Sequence, residues 1–339
     1  MAVLLTGATG FVGLNIAAEL IGRGHDVVLF APTLPDALAR SDWFSRGRFV
    51  MGDIRSGADL ARVFATASVT DVVHAAALTP DAQREASEPG EVAGVNLVGT
   101  MQVMQAARRA SIRRVLSVSS VAVYGQAAPA PGDRYHEAAS APRPATLYGI
   151  TKLAAEQAIH RLGALYGIDT VIVRLGPCFG IREYRSGARA LMSPHWQCVE
   201  ALLAGSDCVL PRPLAADWID AAEAARAVAD LLHADGLHYQ LFNLGGGEVT
   251  TAATWCEALS VLRPDFRWRI DPDVATVRYG LERDRAAMDT DRLEQALGWR
   301  PRPANLLDRA RRYLLWREGP EGQALAGPPP KDPIAKDTQ

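Results

Sequence analysis

The sequence predicts an α/β protein with a doubly wound parallel sheet and a smaller C-terminal lobe. Three observations carry this expectation. Short apolar runs alternate with helical stretches through the first half, the first run leads directly into a glycine-rich turn, and the rhythm breaks after Arg174. Apolar runs without alternation suit strands covered on both faces, and a repeated βα order implies crossovers between parallel strands.

Taken in order, the strands are AVLLT at the N-terminus, DVVLFA from Asp26, RFVMGD from Arg48, DVVHAA from Asp71, RVLSVSS from Arg114 and DTVIVRL from Asp169. Helices are expected at 11–23, 91–110 and 146–166, the last two rich in alanine. After Arg174 comes GPCFGIREYRSGARALMSP, rich in glycine, proline and arginine, then a helix near 195–205. One further strand, QLFNLG from Gln240, returns to the sheet. The second lobe is therefore assembled from separate segments: residues 1–175 with about 214–245 form one domain, and 176–213 with 246–325 form the other. The proline-rich, polar end, residues 326–339, has the composition of a disordered tail.

Composition narrows the function classes. A chain of 339 residues, 48% hydrophobic and 22% charged, buries a large core. With a net charge of −2 it has no general basic field to recruit nucleic acid or an anionic membrane. Cys178, Cys198, Cys208 and Cys256 show no CxxC spacing, which argues against a zinc site or a disulfide framework and leaves structural thiols in a reducing compartment. The start has no basic region before its apolar run, so folding is expected to begin at residue 2, in the cytoplasm.

Two local patterns carry chemistry. In TGATGFVG, Gly7, Gly10 and Gly13 follow a strand and open a helix. Glycines there permit a tight turn and close backbone approach, and the helix N-terminus offers N–H groups to a pyrophosphate. In LYGITKLAAE, Tyr148 and Lys152 stand four apart on one helical face. Only three of the 36 basic residues are lysine, and the other two, Lys331 and Lys336, lie in the tail. A compact ammonium has been kept where guanidinium is otherwise the rule.

TGATGFVG, GDI from Gly52, HAAA from His74, NLVGT from Asn96, SVSSVAVYG from Ser117, YGITK from Tyr148, DWID from Asp217 and LGWRP from Leu297 occur in one order over nearly the whole chain. In this the sequence resembles the extended short-chain dehydrogenase/reductase family, the NAD-dependent epimerase/dehydratase group. The resemblance implies a Rossmann-type NAD(P) domain, a C-terminal substrate lobe and a Ser/Tyr/Lys catalytic set. By it, Gly7, Gly10, Phe11, Val12 and Gly13 hold the cofactor, Asp53 and Ile54 lie by the adenine, and Ala75 and Ala76 line the cofactor cleft.

A secondary alcohol gives up hydride only if its hydroxyl proton leaves too, and free tyrosine, with a pKa of about 10, is a poor acceptor unaided. In the implied arrangement Tyr148 is the base, Lys152 lowers its pKa and bonds the nicotinamide ribose, and Ser120 orients the substrate oxygen. Ser119 is expected to satisfy backbone at a strand end, and Tyr124 either packs or touches substrate. Val121 and Ala122 stand where members that eliminate water or decarboxylate carry an acid, so dehydrogenase, reductase and epimerase chemistry remain. The seven histidines lack ligand spacing, and no metal is expected; His195 is retained as a possible substrate contact.

NAD is preferred over NADP, although Ala31 stands where an acid would bind the adenosine ribose, because the first arginine after it, Arg40, is too distant to clamp a 2′-phosphate. Small residues Ala106, Ala107, Ala154, Ala155 and Ala158 on the two long helices allow a homodimer through a four-helix bundle, as in relatives. Pro177 and Ala216 replace an asparagine and an arginine that anchor a diphosphate in nucleotide-sugar members. The substrate is therefore expected to be a sugar-like or hydroxy-acid alcohol, with Arg182, Arg185 and Arg189 as anion ligands if their segment is helical. A nucleotide-sugar epimerase, in which Arg278 serves the diphosphate, and a non-catalytic NAD(P)-binding sensor are the alternatives.

Overall fold

The computed structural model describes residues 2–129, 133–280, 284–302 and 305–327. Its centre is a seven-stranded parallel sheet of β1 (Ala2–Thr6), β2 (Asp26–Ala31), β3 (Arg48–Met51), β4 (Val69–His74), β5 (Arg114–Ser120), β6 (Asp169–Leu175) and β7 (Leu241–Leu244). The spatial order is β7-β6-β5-β4-β1-β2-β3, so the direction of winding reverses at β1. That reversal opens a crevice at the carboxyl ends of β1 and β4.

The sheet is buried on both sides. Val3, Leu5, Val27 and Leu29 point into one core with α1 (Phe11–Gly22) and α6 (Ala221–His233), whereas Ala2, Leu4, Val28 and Phe30 point into another with the helices of the opposite layer. This two-sided burial is why the strands read as unbroken apolar runs. The opposite layer holds α2 (Gly57–Ala65), α3 (residues 89–109) and α4 (Leu147–Tyr166). The helix expected at 91–110 is not regular: π-helical turns occupy Gly94–Gly99, and they carry Asn96 towards the crevice. Thr146 caps α4 by accepting from the Gly149 N–H at 3.1 Å, and Gly167, with φ at +66°, ends it.

A separate aromatic core holds the second lobe together, formed by α5 (Pro194–Ala204), α7 (Ala252–Leu262) and α8 (Leu306–Glu318) around Trp196, Trp218, Trp255 and Tyr313. A final helix, Pro320–Ala326, takes in the first residue of the expected tail. Residues 328–339 lie outside the described residues, with Lys331 and Lys336 among them. Among the described residues no helix is long and apolar enough to cross a membrane.

Candidate active site

A cavity of about 310 Å³ opens where β1, β4, β5 and β6 end, between the sheet and the second lobe. Gly7, Gly10, Phe11, Val12, Gly13 and Ala75 line it on one side, and Ser120, Tyr148 and Lys152 also line it. The glycines are required by packing. A Cβ on Gly13 would stand 2.0 Å from the Gly7 carbonyl oxygen, and one on Gly7, whose φ is +69°, would stand 2.6 Å from the Ala76 Cα. The turn is thus pressed against the strand ends, and α1 starts from Gly10 without a side-chain cap. Backbone N–H groups at that helix start suit a pyrophosphate. The residues present therefore fit a dinucleotide.

Tyr148 and Lys152 sit in the first two turns of α4. The backbone N–H of Tyr148 donates to Glu85 at 3.1 Å. Burial raises the pKa of its hydroxyl above the ordinary phenol value, while Ser120, Thr79 and the charge of Arg189 act in the opposite direction. Lys152 is 4% exposed and donates from Nζ to the Val118 carbonyl at 2.6 Å. Burial pulls its pKa down to about 8, with the charge of Glu156 opposing. An ammonium carries three donors, so two remain beyond Val118. Ser119 does not satisfy backbone as expected. Its hydroxyl donates to Glu156 at 2.5 Å, and the same carboxylate accepts from Arg174 at 2.7 Å. Tyr124 packs: it is 1% exposed, donates to Asn243 at 2.8 Å and lies under the Arg174 guanidinium.

The second lobe supplies the remaining wall. Glu183 is fully buried and accepts from the Ser193 N–H at 2.7 Å, the Ser193 hydroxyl at 2.6 Å and Arg189 Nη1 at 3.0 Å. This wall is joined to the end of β4 through Thr79, which donates to the Ala188 carbonyl at 2.8 Å and accepts from the Ala190 N–H at 3.1 Å. Asn96 holds the preceding residue, exchanging bonds of 2.8 and 2.9 Å with the Leu78 backbone. Tyr184 closes the gap to the glycine turn by donating to the Thr9 carbonyl at 2.6 Å.

The model of the NAD dependent epimerase/dehydratase family matches residues 3–245. The chain belongs to this family. A UDP-glucose 4-epimerase of Mycolicibacterium smegmatis is 30% identical over 313 residues, covering 90% of this chain and 95% of the relative. Another, from Streptomyces lividans, is 27% identical over 318 residues, covering 89% and 92%. A sterol demethylase protein B of Methylococcus capsulatus is 34% identical over 187 residues, covering 55% and 54%. In fold, the chain is similar to a UDP-glucose 4-epimerase of Thermotoga maritima solved with UDP-glucose, with a TM-score of 0.78, 20% identity and coverage of 94% and 99%.

In this member of the epimerase/dehydratase family, several of the residues singled out in the sequence lie away from this cavity. Asp53, Ile54 and Ala76 do not line this cavity; Asp53 is paired with Arg55 at 2.6 Å, and Ile54 lies in the core against Gly99. His195 is not a substrate contact. It is fully buried, stacked on Phe179 at 4.1 Å and edged by Trp218 and Trp255, and burial pulls its pKa down to about 3. The segment carrying Arg182, Arg185 and Arg189 is not helical. Arg182 lies over Trp43 and pairs with Glu321 at 3.0 Å, Arg185 lies over Trp196, and of the three only Arg189 lines the cavity. Arg278 is not among the cavity residues either, whereas Pro177 is.

Some of the site left little trace in the sequence. Glu156, Glu183, Thr79 and Glu85 are separated from their partners by up to 111 positions, so spacing does not reveal them. The cysteines show no ligand spacing in the sequence, and the fold brings the thiols of Cys198, Cys208 and Cys256 within 4.8 Å of one another in the second lobe, while Cys178 lines the cavity.

Proposed function

We propose that the protein is an NAD-dependent oxidoreductase acting at a secondary alcohol of a sugar-like or hydroxy-acid substrate. The observation that carries the reading is the convergence of Ser120, Tyr148 and Lys152 in one cavity with the glycine turn. NAD, held by Gly7, Gly10, Phe11, Val12, Gly13 and Ala75, supplies a hydride acceptor and a positive ring charge when bound. Tyr148, once its phenol has given up its own proton, accepts the alcohol proton at the phenolate oxygen, and Ser120, which lines the same cavity, orients the substrate oxygen. Burial alone keeps the phenol protonated and so unable to accept, and phenolate forms only when positive charge is close. Lys152, held by Val118, supplies part of that charge and has donors left for ribose hydroxyls. We assign Asp53 and Ile54 to the adenine end, beyond the described cavity.

A second reading, nucleotide-sugar epimerisation, is favoured by the UDP-glucose 4-epimerase relatives. Against it stand Pro177 in the cavity wall, which offers no N–H, and Ala216, buried in a short strand. Thermal shift with NAD present separates the two: uronates, aldonates or free hexoses stabilise the protein under our reading, and UDP, dTDP or GDP alone under the other. Loss of turnover in Tyr148→Phe excludes a non-catalytic NAD-binding sensor.

The assembly we propose is a homodimer through α3 and α4, on which Val98, Ile150 and Leu165 are exposed at 42, 50 and 57%. A monomer in light scattering at micromolar concentration contradicts it. The four cysteines are free and buried, which suits the reducing cytoplasm. We take residues 1–175 and about 214–245 as the cofactor domain and the remainder up to 325 as the substrate lobe.

A further inference from the structure

We infer that Arg189 is the specificity-determining residue of the site and that it selects substrates bearing a carboxylate. The inference rests on the cavity being the substrate pocket, as proposed above. Its ionisable side chains include three cations, Lys152, Arg189 and Arg285, against two carboxylates, Glu85 and Glu183.

Of the two carboxylates, Glu183 is paired with a cation, Arg189, at 3.0 Å. Glu85 accepts from the Tyr148 N–H, and both oxygens of Glu183 are taken by Ser193 and Arg189. Glu183 is fully buried, while the Arg189 side chain keeps 27% of its exposure and lines the cavity. The guanidinium is therefore anchored from behind and presents the remainder of its five-donor fork to the pocket. Arg189 lines the same cavity as Tyr148, Tyr279 and Cys178. The Thr79 bridge to Ala188 and Ala190 fixes its backbone on both sides. A planar fork fixed in this way matches a carboxylate bidentately. Toward a nucleoside diphosphate, neither Pro177 nor Ala216 offers a side-chain donor.

Binding of glucuronate and galacturonate, each beside its neutral hexose, tests this by calorimetry with NAD present and Tyr148→Phe as the background in every protein. Turnover then plays no part, so failure here is distinct from failure of the base assignment, which is read from the turnover of Tyr148→Phe itself. The background protein is expected to prefer the uronate over the hexose by roughly tenfold to hundredfold, and Arg189→Met to lose that preference. Arg189→Lys keeps a cation beside Glu183, which preserves the fold if methionine does not; it is expected to lose most of the preference because an ammonium has no fork. Equal binding of acid and neutral sugar, binding of neither, or an unchanged preference in Arg189→Lys overturns the proposal.

Discussion

The wall of the cavity made by Gly7, Gly10, Gly13 and Ala75 consists of backbone and one small side chain, whereas the wall contributed by the second lobe is a lattice of charges around Glu183 and Arg189. The first is shaped by exclusion: side chains are absent because strand ends and a carbonyl already occupy the space. The second is shaped by compensation, each buried charge being held by a partner from another segment. The first kind of wall suits a ligand common to a large family, and the second sets which substrate one member accepts. A substitution should therefore damage cofactor binding on one side and selectivity on the other.

The largest effect that sharpens this contrast is expected from Gly13→Ala. Its Cβ would fall 2.0 Å from the Gly7 carbonyl oxygen, so the turn must move. Overpacking of this kind costs about 1–3 kcal/mol of stability. A titration of NAD against tryptophan fluorescence should show affinity reduced by at least about tenfold, and unchanged affinity would break the contrast at its root. Arg189→Lys should leave NAD affinity unaltered in the same titration, since its loss falls on the substrate.

The next effect concerns Lys152. Its pKa of about 8 means that the ammonium is present below that pH and is lost as pH rises through it. NAD binding should accordingly weaken above about pH 8. The charge of Glu156 raises the Lys152 pKa, so Glu156→Gln should move this limb to lower pH. A limb that stays in place would show that Lys152 does not govern it.

How much of this was legible in the sequence follows from the same contrast. The strands were readable because both faces of the sheet are buried, and the glycine turn and the Tyr148–Lys152 pair because each is contained within a few consecutive residues. The second wall was not, because its bonds join distant segments: Thr79 meets Ala188 and Ala190, and Glu183 meets Ser193 across a loop without helical period. His195 starts a helix, which suggested access, but three aromatic rings from other segments enclose it. The π-helical turns at Gly94–Gly99 similarly arise where Asn96 must reach Leu78, a demand that local propensity does not express.

A further effect tests that enclosure. With a folded pKa of about 3 against an ordinary 6.5, His195 stays neutral in the native protein while it takes up a proton in the unfolded chain. The unfolded state thus binds more protons between those values, and stability contributed by the neutral ring is present above pH 6.5 and lost as pH falls towards 3. His195→Phe removes that linkage and two buried ring nitrogens without hydrogen-bond partners. Urea midpoints of the two proteins should converge or reverse on acidification, with the variant gaining on the wild type below pH 6.5. A difference independent of pH contradicts the burial of His195.

The central claim, that Tyr148, Lys152 and Ser120 remove a proton while hydride leaves the same alcohol, is tested most directly by absorbance at 340 nm after rapid mixing of enzyme, NAD and the panel of uronates, aldonates, hexoses and nucleotide sugars. The wild type is expected to give the band of reduced nicotinamide with an acidic sugar or hydroxy acid, and Tyr148→Phe to form it slower by about 10²–10⁴-fold with NAD affinity retained. A Tyr148→Phe protein that develops the band at the wild-type rate would contradict the account.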